Sequence, residues 1–290
     1  MMLLTLLLAV LGSAAVNLVL LRSGFLSASK YFLPLLIISS VWALNGNIVP
    51  LSTVIASVAM AEILRITRSW NAVLCVSPFI TVLWAWLLMT AGSEYVNQLL
   101  LVAEQSLESF KTQLLASAVE AGNEAATKQL IAQIPTLDIY YLVGNFALVQ
   151  LMLSLISVLI ARGWQSKLYN PGGLQQEIHQ LRLTKRNILV LLLAVIACSN
   201  IEGYQHWTWL FLLPLISAGI AIVHGIVAVK QLGTQWLVGF YILFISFAPI
   251  ISIPLEWIGG NTTVEVDARL IVLMLLVMVD NAVDLRRQGQ

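Results

Sequence analysis

Two carboxylates stand four residues apart near the end of the last long apolar segment, at Asp280 and Asp284. Side chains at this spacing share one face of a helix. Asp280 directly follows an uninterrupted apolar run, and a carboxylate at such a boundary is costly unless a cation pairs with it. Arg65 and Arg68 end another apolar segment and are the candidate partners. We predict that these four residues form an ion-pair network or a coupling site.

A cluster of polar and aromatic residues interrupts the apolar pattern between positions 200 and 209, and one histidine lies inside the apolar segment that follows. Hydrogen-bonding groups beside aromatic surfaces are typical of small-molecule sites. An ionisable residue within a membrane segment is a functional candidate by default. The alternatives are an ordinary polar loop with interfacial tryptophans and a histidine bonded to a neighbouring helix. The candidate ligand-binding residues are Asn200, Glu202, His206, Trp207, Trp209 and His224.

The sequence has no motif of a familiar enzyme class: no phosphate-binding loop, dinucleotide fingerprint, HExxH, CxxC or nucleophile elbow. His179, His206 and His224 lie in different segments, and Cys75 and Cys198 lie in apolar runs, where reduced thiols pack as small hydrophobic groups. We therefore predict that the protein is not an enzyme and has no catalytic residues, no metal site and no cofactor. A net charge of +1 gives no reason to expect nucleic acid as a partner.

The composition indicates that lipid surrounds this chain. Hydrophobic residues make up 59% of the sequence and charged residues 10%, whereas soluble domains are about 45–50% apolar and about 25% charged. A helix needs roughly 20 apolar residues to cross a bilayer. We predict an all-α integral membrane protein, a polytopic bundle of eight to nine transmembrane helices. The nine segments are 1–21, 31–47, 49–66, 71–91, 138–161, 187–201, 207–229, 235–256 and 268–285, of which 31–47 and 187–201 are short for a full crossing.

The distribution of Lys and Arg predicts the orientation, because these residues accumulate on the cytoplasmic side of membrane proteins. Nine alternating spans place most of the 15 basic residues on one side. We therefore expect the N-terminus outside and the C-terminus in the cytoplasm. The cytoplasmic set is Arg22, Lys30, Arg65, Arg68, Arg162, Lys167, Arg182, Lys185, Arg186, Lys230, Arg286 and Arg287, and the other side has Lys111, Lys128 and Arg269.

Two segments outside the bilayer are long enough to fold, although the whole chain, 1–290, reads as a single transmembrane domain. Residues 92–137 have an apolar helical stripe and predict an amphipathic, extracytoplasmic helical insertion. It either lies on the bundle or membrane, covers an outward-facing site, or contacts another subunit. Residues 162–186 predict a cytoplasmic amphipathic loop, which either anchors the next span beside anionic lipid or docks a partner.

Three stretches resemble one family: YNPGGLQQEIHQLRL at 169–183, GIAIVHGIVAVKQLGTQWLVGFYILF at 219–244, and VDNAVDLRRQ at 279–288. They are similar to the YybS-like family of bacterial multi-pass membrane proteins. The resemblance covers the C-terminal half, and the N-terminal half is similar only in its pattern of spans. It implies a protein of the bacterial cytoplasmic (inner) membrane. It also implies a distant, fold-level similarity to the substrate-binding subunits of energy-coupling-factor vitamin transporters.

Three classes of function fit the sequence. The first is a non-enzymatic membrane component that binds a small molecule or takes part in its transport, with a partner protein supplying energy. The alternative is a membrane scaffold that recruits cytoplasmic or envelope proteins through 162–186 and the C-terminal tail. An intramembrane enzyme acting on lipid is the weakest, because no set of acid, base or metal-binding groups converges in the sequence. We expect the first of these, with the lipid bilayer as its environment.

Overall fold

The fold is helical, as the sequence predicts. The computed structural model describes residues 2–120, 122–132, 134, 137–246, 252–254 and 265–286. Its helices are α1 (Met2–Ser23), α2 (Phe25–Leu44), α3 (Val49–Thr67), α4 (Trp70–Thr90), α5 (Ser93–Glu120), α6 (Glu124–Ala132), α7 (Ile139–Tyr169), α8 (Gly173–His179), α9 (Lys185–Asn200), a 3-10 turn (Gln205–Trp207), α10 (Thr208–Val229), α11 (Gln235–Ser246) and α12 (Ala268–Val283). Two short strands, β1 (Ser252–Pro254) and β2 (Glu265–Asp267), pair antiparallel.

Six helices of the described chain are long and apolar enough to cross a membrane: α1, α2, α3, α4, α7 and α10. The protein is therefore a multi-pass helical membrane protein. The other three predicted spans correspond to shorter helices, since α9 and α12 have 16 residues each and α11 has 12. At about 1.5 Å per residue, α11 covers about 18 Å, which is less than the thickness of the hydrocarbon core.

The predicted span 235–256 is wrong as one continuous helix. α11 ends at Ser246, and residues 252–254 form β1. Pro254 of β1 has no backbone N–H, so a helix through this position would lose a hydrogen bond. The hydropathy pattern did not predict this break, because the strand residues and helix residues of 235–256 are equally apolar.

Two other spans differ from their predicted bounds. α2 begins at Phe25, well before the predicted start at 31, and is therefore 20 residues long. α7 continues to Tyr169, so the first part of the predicted loop 162–186 belongs to a 31-residue helix. In both cases the helix includes charged residues that hydropathy alone assigns to a loop, and their long side chains reach the interface from a helical backbone.

The packing buries small polar residues among the apolar core and leaves many large apolar residues exposed on the outer surface. α2 exposes Leu26, Leu33 and Ile37 on its outer surface, whereas small polar residues such as Ser13 and Ser154 are fully buried between helices. Lipid tails solvate the exposed leucines, and small side chains let the helix backbones approach closely. α1, α3 and α7 pack against one another, and α10 packs against α9 and α12.

The predicted insertion 92–137 contains α5 and α6. The two helices pack against each other across the turn at Gly122. α5 buries only Val96 and Ala118 among its 28 residues. Salt bridges Glu108–Lys111 at 2.8 Å and Glu124–Lys128 at 2.6 Å lie along the exposed surfaces. Its location on the extracytoplasmic side remains a prediction.

Candidate functional site

Three of the packed helices end at the same face of the bundle, and each carries an arginine there. Arg22, Arg65 and Arg162 lie near the C-terminal ends of α1, α3 and α7. They surround a cavity of about 530 Å³, which we call the arginine cavity. Its lining residues are Leu21, Arg22, Ser23, Gly24, Leu64, Arg65, Arg68, Arg162, Gln165 and Glu177.

Two of the cavity arginines are held by glutamates. Arg65 binds Glu62 through two hydrogen bonds, with Nε to Oε2 at 2.8 Å and Nη2 to Oε1 at 2.5 Å. Arg162 donates from Nε to Oε2 of Glu177 at 3.0 Å, and its Nη2 also contacts this carboxylate. Trp70 Nε1 donates to the same Oε2 at 3.0 Å. Glu177 thus fixes α8 against α7 and the start of α4.

The other two cavity arginines have no carboxylate partner within the described residues. Arg22 donates to the hydroxyl of Tyr169, and its guanidinium lies 4.0 Å from the centroid of that ring. Arg68 follows the last residue of α3 in a left-handed conformation with φ of 52°. Both side chains are exposed. The arginine cavity therefore has more positive than negative charge.

A second concave region lies between α7, α8, α10 and α11. An apolar cavity of about 430 Å³ and a more polar one of about 470 Å³ share the residues Ile178 and His224. We call the pair the His224 groove. The apolar part is lined by Trp70, Leu74, Met152, Leu155, Ile156, Leu159, Ile178, Leu181, Leu213, Ser217, Ile220, Ala221, His224 and Tyr241. The polar part adds Leu174, Gln175, His179, Val227, Ala228, Leu232, Thr234 and Leu237.

The polar groups of the groove gather where its two parts meet. His224 Nε2 and the Tyr241 hydroxyl are 2.8 Å apart, which joins α10 to α11. His179 and Thr234 lie in the more polar cavity beside them. Burial lowers the pKa of His179 from its usual 6.5, so its neutral imidazole predominates at pH 7. The groove consequently offers hydrogen-bonding groups around His224 and an apolar wall along the cavity between α7 and α10.

The carboxylates Asp280 and Asp284 do form ion pairs, but not with the predicted arginines. Asp280 Oδ2 accepts from Nη2 of Arg286 at 2.6 Å and lies 3.3 Å from Nε of Arg182. Arg182 Nη2 also lies 3.2 Å from Oδ1 of Asp284. The prediction of Arg65 and Arg68 as partners is wrong, because both line the arginine cavity among α1, α3 and α7, whereas α12 packs on α10.

The predicted ligand-binding cluster is divided between the two ends of α10. Trp207 is buried and donates from Nε1 to the carbonyl of Tyr140 at 2.9 Å. His206 packs edge-on against Tyr141. His224 lies 17 residues beyond Trp207, about 25 Å along a helix, so these residues do not form one site.

The remaining members of that cluster have local roles or none that the structure reveals. Asn200 Nδ2 donates to the carbonyl of Ile196 in its own helix. Glu202 is exposed, and Trp209 packs partly buried against the core. Burial raises the pKa of the neighbouring Tyr204. This end of the bundle is an aromatic packing layer, whereas His224 lines a cavity near the other end of α10.

The sequence pattern missed a polar seam along the interface of α1, α3 and α7. Asn17 Nδ2 donates to Oγ of Ser157 at 3.2 Å, and Gln150 Nε2 donates to the carbonyl of Ser52 at 3.3 Å. The sequence feature that could have predicted this seam is the presence of two amide side chains in the middle of apolar spans. Within the described residues, the seam's side-chain oxygens that lack a hydrogen-bond partner are Ser13 Oγ, Asn17 Oδ1, Thr53 Oγ1, Gln150 Oε1 and Ser154 Oγ.

Comparison with known proteins found no match: no family model, no curated protein and no solved structure matches this chain. The class of protein therefore rests on the fold itself. It is a multi-pass α-helical membrane protein with charged networks and cavities at one face of its bundle. In the part of the chain that the structure describes, no three His, Cys, Asp or Glu side chains come together as metal ligands.

Proposed function

We propose that the protein is a non-enzymatic membrane component that binds a small amphipathic molecule in the His224 groove, as the binding subunit of a transport system would. The observation that carries this proposal is the continuity of an apolar cavity with a more polar one at His224. Ligand pockets are typically about 300–1,000 Å³, mostly apolar, with a few convergent polar groups. The two parts of the groove fall in this range.

The chemistry of the lining supports an uncharged or weakly polar head group. His179, His224 and the hydroxyl of Tyr241 offer hydrogen bonds, and the described residues of the groove lining include no Asp, Glu, Lys or Arg side chain. Leucine, isoleucine and methionine side chains of α7 and α10 face the rest of the groove, where a hydrocarbon chain would lose contact with water. An amphipathic ligand would therefore lie with its head toward the basic face and its tail between the helices.

We further propose the bacterial cytoplasmic membrane as the location, with the arginine-rich face in the cytoplasm and the N-terminus outside. The convergence of Arg22, Arg65 and Arg162 at one face supports this orientation, because basic residues accumulate on the cytoplasmic side. α9 runs back from that face to the 3-10 turn before α10. This supports α9 as a seventh crossing. The similarity to the YybS-like family and to vitamin-transporter subunits is part of this proposal.

A scaffold that docks proteins through 162–186 and the C-terminal tail is the weaker proposal. Glu177 and Arg182 of this segment bind other parts of the same chain, so their charges are not free for a partner. The tail after residue 286 lies outside the described residues.

Transport by the groove would require a partner protein for energy, because the sequence has no nucleotide-binding motif.

Photolabelling tests the binding proposal. The full-length protein in phosphatidylcholine nanodiscs is irradiated with a diazirine-bearing monoacylglycerol, and the labelled peptides are mapped by mass spectrometry. We expect labelling of α7 and α10 that unlabelled monoacylglycerol displaces. Ile220→Trp fills the groove and should abolish this displaceable labelling, whereas Leu193→Trp, on the exposed surface of α9, should not. Equal labelling of both variants would mean that the probe samples only bulk lipid contacts.

A further inference from the structure

We propose that the arginine cavity is a binding site for a phosphoryl group. The proposal is independent of the His224 groove, because the two sets of lining residues have no member in common. Three helices bring arginines to this cavity, and α8 closes one side of it with Glu177. A site of about 530 Å³ accommodates a phosphate or diphosphate ester together with part of the group that carries it.

The excess positive charge of the arginine cavity favours the binding of an anion. The described lining of the cavity has four arginines and the single carboxylate of Glu177, and Glu62 binds Arg65 beside it. Arg22 and Arg68 are the surplus, since neither has a carboxylate within 4.0 Å among the described residues. Like charges gathered in one cavity repel each other, and an anion bound between them removes that repulsion.

Helix ends do not neutralise this surplus. The C-termini of α1, α3 and α7 carry partial negative charge, but the N-termini of α2 and α4 lie at the same face and carry partial positive charge. α2 begins after Gly24, which provides no side-chain cap, and a methyl group added there would lie 3.8 Å from Nη1 of Arg65. The uncapped amides of α2 thus lie beside the arginines, an arrangement that favours phosphate.

Arginine rather than lysine at these positions favours an oxyanion that accepts two parallel hydrogen bonds. The planar guanidinium donates two parallel hydrogen bonds to phosphate oxygens, whereas lysine acts as a point charge. The cavity lies at the ends of membrane helices, where lipid head groups also lie. The phosphoryl group therefore belongs either to an anionic lipid or to a soluble phosphate ester, and both present the same oxygens to the arginines.

Two probes distinguish these sources in the full-length protein. In one arm, nanodiscs of phosphatidylcholine with a small fraction of phosphatidic acid are used, and native mass spectrometry measures retained phosphatidic acid. In the other arm, pyrophosphate is titrated into phosphatidylcholine nanodiscs by calorimetry. We expect saturable binding in at least one arm. Retention of phosphatidic acid alone identifies a lipid head group, and pyrophosphate binding alone identifies a soluble ligand.

The variants separate a site from general surface charge. Arg22→Gln/Arg68→Gln removes the surplus charges and spares both glutamate-bound arginines, so folding should survive, as an unchanged melting temperature would show. We expect binding to weaken at least tenfold. Lys185→Gln/Arg186→Gln removes two exposed charges outside the cavity and should leave binding unchanged. Equal weakening in both double variants, or no saturable binding of either probe, would overturn the proposal.

Discussion

Arg286 donates a hydrogen bond of 2.6 Å to Asp280, six residues before it, and also donates to the backbone carbonyls of His179 and Leu181 at 2.7 and 2.9 Å. Asp280 is fully buried. Arg286 thus pairs with the carboxylate of α12, which Arg182 also approaches to 3.3 Å, and it joins the end of α8 and the following residues to α12. The end of α12 and the loop before α9 are therefore one charged unit.

Removing Asp280 from this unit should destabilise the protein. Asp280→Asn leaves Arg286 partly buried without its counter-charge, and we expect a loss of roughly 3 kcal/mol in unfolding free energy. Arg286→Gln should cost less, because Arg182 still lies 3.3 Å from Asp280, and the double variant should cost less than the sum of the two single variants. Reversible unfolding in detergent measures the cycle. Glu62→Gln, in a partly exposed pair, is the control, with a loss of at most about 1 kcal/mol. Strict additivity would argue against the coupling.

Close helix packing at Gly144 gives a second prediction. A methyl group there would lie 2.7 Å from Nε1 of buried Trp207, which already bonds Tyr140. We expect Gly144→Ala to lower the unfolding free energy by about 1–3 kcal/mol through overpacking and to shift tryptophan fluorescence. Gly163→Ala in the same helix meets only Leu174, at 3.6 Å, and should be neutral or stabilising because alanine favours helix. A tolerated Gly144→Ala would show that the indole can move aside.

The orientation predicts which surface is accessible from outside the cell. With Cys75 and Cys198, which are free thiols in the structure, replaced by alanine, single cysteines are introduced at exposed Gln175 and Ser106. An impermeant maleimide should label the Ser106→Cys variant in intact cells and label Gln175→Cys only after permeabilisation. The reverse pattern would invert the proposed topology, and labelling of both in intact cells would place 92–137 and 162–186 on the same side.

The polar seam gives a prediction about hydrogen bonds. Gln150 Oε1 has no partner among the described residues, and its Nε2 has one long bond of 3.3 Å to Ser52. Side-chain hydrogen bonds between membrane helices average about 0.6 kcal/mol, whereas an unsatisfied buried polar group costs about 1–3 kcal/mol. Gln150→Leu should therefore unfold at the same or a higher denaturant concentration. A large loss would indicate that water or an ion satisfies the amide.

The helices follow from the sequence because helix formation depends on local composition. Runs of about 20 apolar residues predicted the bounds of α3, α4 and α10 to within two residues. The ends of other spans were less predictable, as α2 and α7 show. A helix can continue past the apolar residues because its charged side chains reach the interface. The break within 235–256 required attention to prolines, which a hydropathy pattern ignores.

The sequence by itself determined that Asp280 needs a cation, because a carboxylate beside an apolar run is costly in any fold. Only the tertiary structure decided that Arg286 and Arg182 supply it, since the choice among arginines depends on which helix packs beside α12. The arginine cavity and the His224 groove were likewise decided by packing, because each is lined by several helices far apart in the chain. Local periodicity specifies helices, but contacts between them depend on how the whole bundle buries its polar groups.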